Sequence, residues 1–381
     1  MVFLLLYCLI IMSWFKKSNT KEAPTPIIIF NLGGTSVSGL VLDGTNFDFK
    51  QEIKHELPFA SYQNFATLSA QTVEILGKVA EQIRLTVGPN QKKIHCLVSS
   101  PWHMADISRY KIPENKIKQK ATIDNISAKA LAKHLEKNTS PAYDLKPIDS
   151  VVMAIRELVQ DRDATAPTDN ILHHFASSSD KKLLETISQP IANSFGQTQP
   201  SFHSGLLATF SAINDALTKY SDFVILDISG EITDIIIVRH HTIATIASIP
   251  IGTYTVARRL AKKTGQNVVS AYSSLKLLGE NILQNHSHHD FDTLVADVKQ
   301  EWLYDLMTVL NSYETKDENL PLVVVGDDKS ATVLGDWAKF AGSRESMIAD
   351  EELLADLYPS RRSPSRVTGH LVGQLFAQKY L

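Results

Sequence analysis

Two stretches of this chain, 196 residues apart (227 − 31), spell the same supersecondary unit. Residues 27–42 read IIIFNLGGTSVSGLVL and residues 223–238 read FVILDISGEITDIIIV. Each opens on an apolar run, breaks at a polar position followed by small residues, and returns as a second apolar run. That is the pattern of a β-hairpin. Aligned without gaps, Phe30 falls on Leu226, Asn31 on Asp227, Leu32 on Ile228, Gly33 on Ser229 and Gly34 on Gly230. Past the turn, Leu40, Val41 and Leu42 fall on Ile236, Ile237 and Val238. The offset is too long for a stacked repeat and has the size of a domain. Two like halves are therefore expected, each beginning strand, turn, strand. At 381 residues the chain also exceeds one ordinary core.

The turns carry the chemistry. Small residues leave backbone N–H groups open for an oxyanion, and an acid at the strand end can hold a divalent cation through water. Candidate phosphate contacts are Asn31, Gly33, Gly34 and Thr35 in the first turn and Ser229, Gly230 and Thr233 in the second. Asp227 is the candidate catalytic acid and the candidate Mg²⁺ holder through water, whereas Asp234 is expected to face solvent. Behind the second hairpin, an apolar run ends in Ile249-Pro250-Ile251-Gly252 and a helix over 253–264 follows. Gly252 permits a close backbone approach, and the helix N-terminus favours an anion. The alternative is an ordinary strand-turn-helix with Arg258, Arg259, Lys262 and Lys263 as a solvated face; the place behind a phosphate-type hairpin favours the anion reading. A buried strand over 320–326 ends on Gly326 and runs into Asp327-Asp328.

Taken in this order, the set resembles the actin-like ATPase superfamily, where the two turns are called phosphate 1 and phosphate 2. The expected fold is α/β and two-lobed, a duplicated ribonuclease H-like architecture with a cleft between the halves. Gly252 then occupies the family's second connecting motif and Gly326 its adenosine motif. Between the halves, Ser127 reads as the cap of a helix over 128–137, with strands over 149–159 and 171–175 and a polar loop over 161–169. Asp180 reads as the cap of a further helix. A small α+β subdomain inserted there resembles the strand-helix-strand-strand (SHS2) unit of the cell-division protein FtsA and the type IV pilus assembly protein PilM. The expected divisions are 1–26 as an apolar segment and linker, 27–111 as the first half, 112–204 as the SHS2-type subdomain and 205–381 as the second half.

The resemblance implies ATP and Mg²⁺ as ligands, yet the motifs are altered where they matter. The first acid is Asn31, an amide that brings no charge to a metal. Phosphate 2 reads Asp227-Ile228-Ser229-Gly230-Glu231-Ile232 where the family has D-x-G-G-G-T, and one glycine remains in the adenosine motif. Since charge neutralisation and positioning carry phosphoryl transfer, weak or absent ATPase activity is expected. The implied role is a PilM-like pseudo-ATPase scaffold, cytoplasmic and peripheral at the inner membrane. Its implied partner is a short peptide of an inner-membrane pilus or division protein, with self-association into filaments as a family trait. An FtsA-like division tether is the alternative. An active ATP-dependent kinase or ATPase is the alternative of another class; it needs a general base and an intact metal site.

Composition excludes other classes. A net charge of −3 and a pI near 6.5 give no footprint for nucleic acid. Two cysteines build neither a disulfide framework nor a zinc site. Residues 2–15 are almost wholly apolar and precede Lys16 and Lys17. The stretch is shorter than the roughly 20 residues of a spanning helix, and its charge follows the apolar run where a signal peptide has it before. A start codon placed too early, with Met12 opening the chain, fits better than an anchor. The last helix, with Val367, Leu371, Leu375 and Phe376 at helical spacing, has one lysine and reads as packed. His173 and His174 point to opposite faces of a strand. His286, His288 and His289 read as loop histidines, not a metal set.

Overall fold

The first strand pair sets the frame: β1 (Ile27–Leu32) and β2 (Ser36–Leu42) are antiparallel, with Asn31 opposite Ser38. The computed structural model describes residues 25–59, 64–141, 143–157, 169–279, 293–313, 320–326, 330–339, 346–349 and 368–381. The N-terminal apolar stretch, most of the polar loop at 161–169, the histidines at 286–289 and Asp327-Asp328 lie outside the described residues.

After β2 the chain forms β3 (Phe49–Glu56), α1 (Phe65–Val87) and β4 (Ile94–Val98). α1 starts where the Asn64 side chain accepts the Thr67 N–H at 2.8 Å, and stops at Gly88, whose φ of 82° is a glycine conformation. Its apolar face, Leu68, Ile75, Leu76, Val79 and Ile83, is buried on the sheet. The inserted unit follows: β5 (Met104–Pro113), α2 (Lys120–Asn138), β6 (Leu145–Glu157) and β7 (Asp169–Asp180), with sheet order β5-β7-β6. This is strand, helix, strand, strand. α3 (Lys181–Ser194), β8 (Ser201–Ser204) and α4 (Gly205–Ala216) return the chain to the first lobe.

The second lobe repeats the first. It contains β9 (Phe223–Ile228), β10 (Thr233–Arg239), β11 (Thr242–Ile249), α5 (Thr253–Thr264), α6 (Val268–Gly279), α7 (Ala296–Tyr313), β12 (Leu322–Gly326), α8 (Ser330–Ala338) and β13 (Ser346–Ile348). One sheet runs β3-β2-β1-β4-β8 and the other β11-β10-β9-β12-β13. In both, an antiparallel hairpin is flanked by one further antiparallel strand and by two parallel ones. Even the irregularity is duplicated: the register slips between Val41 and Leu42 in one lobe and between Ile237 and Val238 in the other. Those are equivalent positions. β1 and β9 also share one burial profile, four buried residues, a half-buried one and a buried one, and the half-buried residues are Asn31 and Asp227.

α4 lies between the lobes. Ala208 and Ala212 pack on the first sheet and Phe210 and Ile213 on the second. The C-terminal α9 (Thr368–Tyr380) buries Val372, Phe376 and Ala377 against Ile27, Ile29 and Leu40 of the first lobe; of the expected packed face Phe376 is there, while Val367 and the side chains of Leu371 and Leu375 lie outside the described residues.

Two local expectations are corrected and one holds. The three-stranded sheet spans 104–180, not 112–204: β5 is largely half-buried or exposed and carries no continuous apolar run, while α3 and β8 belong to the first lobe's core and sheet. Ser127 lies inside α2, which begins seven residues earlier at Lys120. Asp180 is a cap as expected, its carboxylate accepting the Leu183 N–H at 3.1 Å.

Candidate functional site

The two turns meet. Asn31, Gly33 and Gly34 of the first, Asp227 and Ser229 of the second and Gly326 at the end of β12 line one cavity, together with Ser99, Gly205 and Thr209. Its volume is about 40 Å³. A water needs roughly 10–15 Å³ on this measure, whereas small-molecule sites run to about 300–1,000 Å³. A methyl group added to Gly34 would stand 2.9 Å from the Ser229 hydroxyl, and one added to Gly230 would stand 2.8 Å from the Thr35 methyl. These glycines are required by the approach of one lobe to the other.

Two of the amides expected to be open, those of Gly33 and Ser229, are engaged within their own turns. Gly33 N–H donates to the Ser36 carbonyl at 3.0 Å and Ser229 N–H to the Ile232 carbonyl at 2.9 Å. The N-terminus of α5 is engaged as well, with Thr253 N–H donating to the Ser229 carbonyl at 3.0 Å and Tyr254 N–H to Gly230 at 2.7 Å. Gly252 is where the second turn rests on the helix: a Cβ there would collide with the Ser229 and Gly230 carbonyls. Thr233 is fully buried, donates to the Ile251 carbonyl at 2.8 Å and faces the Trp302 indole N–H at 3.2 Å. It braces the second lobe and does not line the cavity.

Three side chains depart from their expected places. Asp234 is buried, not solvent-facing. It accepts the Ser248 hydroxyl at 2.6 Å and has a side-chain hydrogen bond with Ser100 of the other lobe. Burial pushes its carboxyl above the usual carboxylate range. It stands directly opposite Asp227 across β9 and β10, so the two carboxylates share a face. Glu231 turns to Arg258, whose guanidinium grips it with both terminal nitrogens, one at 2.9 Å. Arg258 is thus not part of a solvated face. Sequence reading missed Ser100 and Trp102; the latter's indole N–H holds the Gly33 carbonyl at 3.1 Å. No motif announces either, since each acts across the fold.

MgATP does not fit this arrangement. The cavity that the described residues line is far smaller than a nucleotide site, the Gly33 and Ser229 amides are engaged, and the carboxylate beside Asp227 is buried against serines. Among the described residues no cluster of three or more His, Cys, Asp or Glu could hold a metal. What the site does hold is the other lobe.

This is the two-lobed actin-like ATPase fold, in which paired hairpin turns face each other across a cleft. No protein-family model and no curated protein matches the chain. Among solved structures, the PilM–PilN type IV pilus biogenesis complex matches over 93% of this chain and 98% of that one, with a TM-score of 0.59 at 11% identity. The ethanolamine utilization protein EutJ of Carboxydothermus hydrogenoformans matches with a TM-score of 0.45 at 12% identity, over 86% of each chain. A Bacteroides thetaiotaomicron protein with an actin-like ATPase fold and unknown function gives 0.43 at 12% identity, over 87% of this chain and 94% of that one.

Proposed function

We propose that this protein is a PilM-like adaptor, cytoplasmic and peripheral at the inner membrane, that binds a short peptide of an inner-membrane assembly protein. In this reading it is a pseudo-ATPase. The observation that carries the proposal is the direct contact of the two phosphate turns around a cavity of about 40 Å³. A fold kept intact around a closed cleft supports a scaffold. The likeness to a complex in which PilM is paired with PilN supports a protein partner and type IV pilus assembly as the setting.

An FtsA-like tether through the last helix is less well supported, because Val372, Phe376 and Ala377 of α9 are spent on the first lobe. Among the described residues no helix is long and apolar enough to cross a membrane; in this reading a membrane-bound partner supplies the attachment.

The test is steady-state turnover of MgATP by the purified chain, beside titration with N-terminal peptides of inner-membrane proteins encoded next to its gene. Peptide binding without turnover is expected. A kcat on the order of 1 per second that Asp227→Ala abolishes would establish the active enzyme instead.

A further inference from the structure

Phe59 is out of place in a useful way. It follows β3 in the first lobe, yet its ring packs against the core of the second, where every other member comes from beyond residue 223. It lies 4.4 Å from the Tyr254 ring and 5.2 Å from the Tyr272 ring, centroid to centroid, and those two tyrosines meet edge to face at 4.9 Å. Beside it, Glu56 pairs with Lys276 at 2.9 Å, and the same ammonium stands 4.7 Å above the Tyr272 ring.

The segment is tied to both turns. Leu57 N–H donates to the Thr35 carbonyl of the first turn at 2.7 Å, and Tyr254, which the ring touches, donates its N–H to Gly230 of the second. The lobes cannot separate without drawing an aromatic ring out of a packed core and breaking a cross-lobe ion pair. Apolar contacts of this kind need no ligand to form.

We infer that residues 56–59 are an intramolecular clasp, with Phe59 as its tooth, that holds the two lobes closed without nucleotide. The clasp does the work that a bound triphosphate does in a nucleotide-gated clamp. Closure becomes the ground state of the chain, and opening requires something that competes with Phe59 for the Tyr254–Tyr272 socket. The inference rests on the scaffold reading only for its biological purpose.

The test is a distance measurement in the full-length chain. Spin labels go on Leu85→Cys and Tyr304→Cys, one in each lobe and 71% and 72% exposed, in a Cys8→Ser background; Cys96 is buried. Pulsed electron resonance should give one narrow distance distribution, the same with and without MgATP. Phe59→Ala should raise the share of a longer, open population by roughly tenfold, the ratio expected from losing a partly buried aromatic contact. Phe59→Leu should raise it less. If Phe59→Ala fails to fold, Glu56→Lys should open the lobes, and the swapped pair Glu56→Lys with Lys276→Glu should close them again. A distribution in folded Phe59→Ala, or in Glu56→Lys, that superimposes on the parent overturns the clasp. ATP turnover by the parent would refute the scaffold reading alone, since the dependence of distance on Phe59 is read separately.

Discussion

The hairpins at residues 27–42 and 223–238 have one skeleton and two chemistries. Strand order, pairing, burial profile and the position of the bulge agree. The residues that would touch a nucleotide do not: Asn31 stands where Asp227 stands, Ser38 where Asp234 stands, and Gly33 where Ser229 stands. A backbone is kept by apolar strands packed on both faces, which tolerate little change. In the second turn Ser229 closes on Ile232 and Glu231 on Arg258, bonds that the first turn, with Gly33 and Ser36 paired through the backbone, makes differently.

The largest expected effects test the shared skeleton. Phe30 and Leu226 are equivalent and both fully buried. Phe30→Ala should cost about 3–5 kcal/mol and Leu226→Ala about 2–5 kcal/mol in urea unfolding. A cost below about 1 kcal/mol at either site would show that one hairpin is not part of a core.

The turns should then separate the lobes. Gly230→Ala pushes a methyl against the Tyr254 ring at 2.7 Å and against Thr35, neither of which has room to move, so about 1–3 kcal/mol is expected. Gly34→Ala meets the end of the Ser229 side chain, which can rotate away, and should cost less, about 1 kcal/mol. Thermal unfolding of the two variants ranks them. The reverse order would mean that the approach of the turns is not as described.

A further difference between the regions is in pH. His95 and His103 in the first lobe, and His173 and His174 in the inserted sheet, are held down to about 4, chiefly by burial. The unfolded chain takes up protons from about pH 6.5, so stability should fall as pH drops from there toward 4. Asp234 has the opposite sign. Its raised value gives stability below the ordinary carboxylate range, lost as pH rises above about 4 toward the raised value. Asp234→Asn should remove that loss and leave the histidine limb unchanged. Denaturant midpoints across pH, for parent and variant, read both limbs.

The duplicated hairpins were legible because apolar strands write their period into the sequence. Asp180 was legible because an N-cap is local: one carboxylate, three residues before the N–H it accepts. Ser127 misled for the same reason, since a serine inside a helix looks like one at its start. β5 was missed because it mixes apolar and polar residues that are mostly half-buried or exposed and alternate weakly. The contacts that close the cleft, Ser100 with Asp234 and Phe59 with Tyr254 and Tyr272, join residues far apart in sequence. Nothing near either partner foretells them. Asp234 shows the consequence: a lone acid after a turn reads as exposed until the other lobe covers it.

The most direct measurement is calorimetric titration of MgATP into the full-length chain and into Glu231→Gly. Lobes that hold each other should give no binding heat in the parent and at most weak binding in the variant. Tight binding in the parent, indifferent to Glu231, would mean that the turns still grip a triphosphate.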